Sequence, residues 1–226
     1  MKGIVLCSGG LDSTLALIRL LKEGNLCVPM FVDYNQWSLE GERKAVREAS
    51  SYLAEKEGKL SLPISLTIRN EETQERVGSA WGRGIALVGL AAMYAYTHGD
   101  DYGFIALGNH RRDVGPDCKP GVFDARMDAV LETATKGRMR LSLPIRNLTV
   151  EDIGRELGEY GIPWEYMYSC YWYPSCQYRS ENDTYLCPGC RRKVIAMRAA
   201  KAPADRIYPP NGSRSYQSPL AEPTEY

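Results

Sequence analysis

Along the chain, short continuous apolar runs alternate with longer stretches in which apolar residues recur every three or four positions. Gly3-Ile-Val-Leu-Cys7 is a run of strand length, and after it Leu15, Leu17, Ile18, Leu20 and Leu21 fall at helical spacing. Cys27 to Tyr34 is a second run, long enough for a parallel strand buried on both faces, and it ends in the carboxylate of Asp33. Glu40 to Lys59 carries Ala45, Val46, Ala49, Tyr52 and Leu53 at helical intervals, and Ile64 to Ile68 alternates as a third strand. Ile85 to Tyr96 is almost wholly apolar and rich in alanine, which predicts a helix buried in the core. Phe104 to Leu107 reads as a fourth strand, a helix follows through Phe123, Met127, Val130 and Leu131, and Met139 to Pro144 makes a fifth strand. Thr149 with Glu151 and Asp152 behind it is a helix start, and that helix runs to Tyr160 before Gly161 and Pro163 stop it. Five strands alternating with helices specify an α/β fold: a doubly wound five-stranded parallel sheet with right-handed crossovers.

In such a sheet the ligand crevice lies outside the carboxyl ends of the strands, so the segments that follow strands are where chemistry is expected. The first is Ser8-Gly-Gly-Leu-Asp-Ser-Thr14. Gly9 and Gly10 remove Cβ atoms where a tight loop needs positive φ or close contact with a ligand. The hydroxyls of Ser8, Ser13 and Thr14 add donors beside the unpaired N–H groups of a helix start. Such a nest binds anions, phosphate above all. The common phosphate loop, Gly-x-x-x-x-Gly-Lys-Ser/Thr, is absent, and no lysine lies between Gly3 and Lys22. The Ser-Gly-Gly-x-Asp-Ser order resembles instead the pyrophosphate loop of the ATP pyrophosphatases, which cleave ATP between the α and β phosphates; there an acid such as Asp12 is suited to help hold Mg²⁺. Asp33 reads either as a neighbour of that loop or as an ordinary turn aspartate. The polar stretch from Asn70 ends in Trp81-Gly-Arg-Gly84, where Arg83 is either a cation aimed at a phosphate or a solvated loop residue. After the fourth strand, Gly108 to Pro120 crowds His110, Asp113, Asp117 and Cys118 into one loop, a second wall for the crevice. His98, just before Gly99, suits a helix terminus.

At 226 residues and 44% apolar composition the chain fits one domain with a small appended module. The expected division is an ATP-binding α/β domain over residues 1–165, a metal-binding module over 166–202 and a poorly structured tail over 203–226, where Pro203, Pro209, Pro210 and Gly212 replace aliphatic residues. With no signal peptide or membrane span apparent, a cytoplasmic protein is expected. Lysine plus arginine equals aspartate plus glutamate at 28 each, so no global positive field draws in a nucleic-acid backbone, and a small-molecule substrate is favoured. Of seven cysteines, Cys170, Cys176, Cys187 and Cys190 form C-x5-C-x10-C-x2-C, the last pair within Cys-Pro-Gly-Cys. That knuckle suits a structural four-thiolate Zn²⁺ site, with a redox pair or an iron–sulfur cluster as alternatives. Cys7 and Cys27, in strands, read as small buried apolar residues.

Taken together and in order, these segments resemble the 7-cyano-7-deazaguanine synthase family (QueC) of the ATP pyrophosphatase superfamily. The likeness rests on Ser8 to Ser13; on Val32-Asp-Tyr-Asn-Gln36 followed by Glu40 and Glu42; on Gly82-Arg83 before an alanine-rich helix; on Pro116-Asp-Cys-Lys-Pro120; on Leu143-Pro-Ile with the helix behind it; and on Tyr168-Ser-Cys-Tyr171. The resemblance implies an adenine nucleotide alpha hydrolase-like fold and an ATP-dependent ligase that converts 7-carboxy-7-deazaguanine and ammonia to the nitrile, in a homodimer that engages neither nucleic acid nor membrane. It implies that Ser8, Gly9, Gly10, Leu11, Asp12, Ser13 and Thr14, with Asp33 nearby, serve ATP and Mg²⁺. Asp12, Ser13 and Arg83 would be the catalytic set, and Arg83 would offset developing negative charge. Asp117, or else Asp113, would accept the adjacent N–H donors of the guanine edge. The four cysteines would hold Zn²⁺. The chain departs from the family pattern at Trp81 to Gly84, where Pro-Gly-Arg-Asn is usual, and in the wide spacing of Cys176 from Cys187. Two alternatives are a relative that adenylates another carboxylate, including a protein C-terminus, and a tRNA-thiolating enzyme using Cys187 and Cys190.

Overall fold

The structure is a computed structural model, and it describes residues 1–68, 82–99, 101–111, 121–171 and 187–202. Trp81, Asp113, Asp117, Cys118, Cys176 and the segment 203–226 lie outside the described residues. Five strands, β1 (Lys2–Leu6), β2 (Leu26–Asp33), β3 (Ile64–Thr67), β4 (Tyr102–Ala106) and β5 (Arg140–Ser142), form one sheet in the order β3-β2-β1-β4-β5. Every pairing is parallel, with Ile4 opposite Val28 on one side and Ile105 on the other. The sheet predicted from the apolar runs is the sheet that forms.

Side chains alternate across the pleat and so divide the core in two. Val5, Cys7, Cys27, Phe31, Phe104 and Ala106 face a layer made of α1 (Leu11–Lys22), α2 (Leu39–Glu57), α5 (Val150–Tyr160) and α6 (Pro188–Ala199). Ile4, Leu6, Val28, Met30, Val32, Ile105 and Leu107 face α3 (Arg83–Thr97) and α4 (Val122–Ala134). The connections after β1 and β2 therefore cover one face, and those after β3 and β4 cover the other. The winding reverses between the adjacent strands β1 and β4, and at such a switch point the chains leaving the carboxyl ends part and open a crevice.

Two helix ends follow their sequence signals closely. Thr149 caps α5 reciprocally: its Oγ1 accepts the Asp152 N–H at 3.2 Å while the Asp152 carboxylate accepts the Thr149 N–H at 2.9 Å, and Gly161 closes the helix in the left-handed conformation. Helix α6 belongs to the same core as α1 and α5, through Val194, Ala196 and Met197. Its approach to α5 is so close that a Cβ on Gly154 would stand 2.1 Å from the Ala196 carbonyl oxygen.

The expectation for α3 needs correction. Only Val88, Ala91 and Ala95 are buried, whereas Ile85 and Met93 are each 58% exposed and Tyr96 82%. A helix lying on one side of a sheet buries a single stripe, and here Ala86, Gly89, Met93 and Tyr96 form the outward one. Apolarity around the whole circumference does not entail burial around it, and no second layer covers this helix among the described residues.

Candidate nucleotide site and cysteine cluster

The loop after β1 is built from both sides. Cys7 continues the ladder, donating its N–H to the Met30 carbonyl at 2.8 Å, and the chain then turns at Gly9 with φ +70°. A Cβ on Gly9 would lie 2.5 Å from Ala45 Cβ and 2.8 Å from the Val46 nitrogen, so only glycine lets the loop lean on α2. The Gly9 carbonyl accepts the Tyr168 N–H at 2.8 Å. Gly10 is the N-cap of α1, with no side-chain cap, and the first intrahelical bond runs from Thr14 N–H to Gly10 O at 3.0 Å. The amides of Leu11, Asp12 and Ser13 thus precede the first helical donor, at the positive end of the helix dipole. Ser13 Oγ donates to Gly10 O and accepts the Ser8 N–H, both at 3.3 Å, which holds the loop in shape. From the opposite side the chain leaving β4 presses in: a Cβ on Gly108 would be 2.7 Å from the Ser13 nitrogen.

These segments border a cavity of about 650 Å³, within the range of small-molecule sites. Ser8, Asp12 and Ser13 line one wall, Met30 to Val32 another, and Leu107 to Asn109 a third. Arg83, at the start of α3, lines it too and donates to the Tyr34 hydroxyl at 3.2 Å. Sequence reasoning had not singled out Gln36 as a site residue. It is 2% exposed, accepts the Tyr34 N–H on Oε1 at 3.0 Å, and donates from Nε2 to Glu42 at 2.8 Å. Glu42 also accepts from Ser38 Oγ at 2.7 Å, so its carboxylate is held at the cavity wall by two donors. Arg192 of α6 was not foreseen either: its guanidinium donates to Asp12 Oδ2 at 2.6 Å.

Not every expected residue reaches the cavity. Asp33 turns toward α2, where it pairs with Arg43 at 2.8 Å and accepts the Asn35 N–H at 3.0 Å, and it is not among the described residues that line the cavity. Leu11 sits in the core, Gly9 and Thr14 are not among the lining residues, and Gly10 and Leu11 border only the smaller cleft beside the loop. Cys7 lines the cavity, but burial pushes its thiol far above the ordinary value, and Cys27 is pushed up to about 12 by the same cause. Neither is a usable nucleophile near neutrality.

At the edge of the site Cys170, Cys187 and Cys190 bring their sulfurs within 4.8 Å of one another. Cys187 caps α6, with Pro188 as the first helical residue, and its Sγ accepts the N–H groups of Tyr171 at 3.3 Å and Cys190 at 3.4 Å. Hydrogen bonds from the Cys170 and Cys190 thiols, together with these amides, lower the pKa of Cys187. Sulfurs bound to one tetrahedral ion at about 2.3 Å stand roughly 3.8 Å apart, so this cluster fits a single ion shared by all three. The knuckle is tight: a Cβ on Gly189 would fall 1.8 Å from the Ser169 carbonyl oxygen.

A family model described as "Queuosine biosynthesis protein QueC" matches residues 2–201. The chain belongs to the QueC family. The match takes in every described residue that lines the cavity, from Leu6 to Arg192, and all three clustered cysteines. Among curated QueC-type relatives, the 7-cyano-7-deazaguanine synthase of Campylobacter curvus is 26% identical over 211 residues, covering 85% of this chain and 91% of the relative. That of Campylobacter concisus is 26% identical over 223 residues, covering 91% and 97%. That of Pelotomaculum thermopropionicum is 24% identical over 225 residues, covering 88% and 98%. Among solved structures, one described as a predicted subunit of a tRNA methyltransferase from Methanocaldococcus jannaschii aligns at a TM-score of 0.42 and 16% identity, over 93% of this chain and 94% of that one.

Proposed function

We propose that this QueC-family chain is an ATP-dependent 7-cyano-7-deazaguanine synthase. The observation that carries the reading is that the family match spans all the described residues of the cavity wall, including an uncapped helix start and the arginines Arg83 and Arg192. A carboxylate resists ammonia until one oxygen becomes a leaving group. In the proposed reaction an oxygen of 7-carboxy-7-deazaguanine attacks the α-phosphorus of ATP and pyrophosphate departs. Ammonia then attacks the carbonyl carbon, and AMP leaves as the amide forms. The amide oxygen then attacks the α-phosphorus of a second ATP, releasing pyrophosphate, and the nitrogen sheds its two protons as the C–O bond breaks to give the nitrile and AMP.

The chain's own groups suit these steps. The amides of Leu11, Asp12 and Ser13, with Ser8 and the Ser13 hydroxyl, would receive the departing pyrophosphate at the α1 N-terminus. Asp12 is the ligand suited to Mg²⁺, which supplies charge neutralisation between the phosphates. Arg83, anchored on Tyr34, would stabilise negative charge that develops in the transition state. Asp117, with Asp113 second, is the carboxylate proposed to read the guanine edge. Cys170, Cys187 and Cys190, completed by Cys176, would hold Zn²⁺, whose contribution is to fold the module over residues 166–202 onto the ATP-binding domain over 1–165. The solvent-facing apolar stripe of α3 suits a homodimer, and the protein is read as cytoplasmic and free of nucleic acid.

The test is to incubate the protein with ATP, Mg²⁺, ammonium and 7-carboxy-7-deazaguanine and to follow products by mass. The nitrile is expected, with AMP and pyrophosphate, and Asp12→Ala should abolish it. ATP cleavage indifferent to the deazapurine would overturn the reading in favour of a relative that adenylates another acid.

A further inference from the structure

The nucleotide loop carries no cation of its own. No lysine or arginine lies between Lys2 and Arg19, and Arg19 is occupied on the far side of α1 by Glu156 and the Pro144 carbonyl. A polyphosphate entering the cavity nevertheless needs counter-charge, and among the described residues its wall balances two arginines, Arg83 and Arg192, against two carboxylates, Asp12 and Glu42. Arg83 stands at the α3 side, beside Tyr34. Arg192 stands at the loop itself, 2.6 Å from Oδ2 of Asp12, the second residue of α1. It also borders a small cleft between the loop and the cysteine cluster, which Ser8, Gly10 and Gly189 line with it.

We infer that Arg192, delivered by the cysteine-bearing helix, is a nucleotide-binding residue that meets the β- and γ-phosphates of ATP over the Ser8–Ser13 loop. The inference deepens the ATP-dependent reading above and rests on it. A guanidinium presents five N–H donors in a rigid fork, so one group can hold a carboxylate along one edge and meet phosphate oxygens along another. Its side chain is 28% exposed, neither locked in the core nor loose in solvent.

The position is enforced from both ends of the module. Arg192 follows Cys190 by two residues on a helix capped by Cys187. Lys193 donates to the carbonyls of Trp164 and Met167 at 2.8 and 2.6 Å, and the Tyr168 N–H is bonded to Gly9. The residues that hold the cysteine cluster in shape thus also fix where the guanidinium meets the loop. On this reading the cluster does more than fold its own segment: it sets the affinity for the leaving half of ATP.

The test compares ATP, pyrophosphate and AMP binding to the full chain by calorimetry, in wild type and in Arg192→Gln and Arg192→Lys. Loss of a charge-assisted contact predicts a roughly 10- to 100-fold weaker binding of ATP and pyrophosphate in Arg192→Gln, with AMP unchanged within about twofold. Arg192→Lys should recover part of the loss. A merely structural role would weaken all three ligands together or none. Equal loss for ATP and AMP, or wild-type ATP affinity in Arg192→Gln, overturns the inference while leaving the ATP-dependent reading intact. Failure of the wild type to bind ATP overturns both.

Discussion

Adjacent glycines in the loop make opposite predictions, and the contrast tests the geometry directly. Gly9 has φ +70°, and a methyl there would meet Ala45 Cβ at 2.5 Å and the Val46 nitrogen at 2.8 Å, with backbone that cannot step aside. The left-handed conformation costs an L-residue about 1–2 kcal/mol, and overpacking adds about 1–3, so Gly9→Ala should destabilise by roughly 2–5 kcal/mol. Gly10 has φ −79°, and its methyl would lie 3.4 Å from Ser8 Oγ and the Tyr168 carbonyl oxygen, which is ordinary contact. Alanine is a poorer N-cap than glycine, so Gly10→Ala should cost up to about 1 kcal/mol. In a protein of this size each kcal/mol moves the midpoint by about 2–4 °C, which gives a fall of roughly 4–20 °C for Gly9→Ala and at most about 4 °C for Gly10→Ala. Thermal unfolding followed by the fluorescence of the four tryptophans measures both. Melting of Gly9→Ala within about 2 °C of wild type, or equal losses in the two variants, would refute the packing of this loop against α2.

Burial raises the pKa of Cys27 from 9.0 to about 12, because the folded state favours the neutral thiol. The unfolded chain gives up that proton near 9 and the folded chain does not, so the contribution is complete below 9 and declines as pH climbs toward 12. The stability gap between wild type and Cys27→Ala, from urea titrations between pH 7 and 10, should therefore narrow on the alkaline side; a constant or widening gap would contradict it. The outward stripe of α3 supplies the last prediction: sedimentation should give a dimer for the wild type and a monomer for Tyr96→Asp, since Tyr96 is 82% exposed in the single chain. Identical sedimentation of the two would remove α3 from any interface.

The sequence by itself determined the layers. Apolar runs of strand length, separated by helical periodicity, allow few arrangements other than a parallel doubly wound sheet, and the order Ser8 to Ser13 marked a tight loop leading into a helix start because glycine and helix-start chemistry are local. The Cys-Pro-Gly-Cys knuckle was legible for the same reason: both sulfurs and the Cys190 amide that serves Cys187 lie within four residues. What the tertiary structure decided are the pairings that span the chain. That Asp33 ends a strand was legible, but its pairing with Arg43, ten residues on, is decided by how α2 packs. Arg192 stood in a basic run after the knuckle with nothing in its neighbourhood to mark it, and only the packing of α6 on α5 brings it across 180 positions to Asp12. The exposed side of α3 was likewise invisible, because hydrophobic character records what a segment is made of, whereas burial depends on which layers the rest of the chain lays over it.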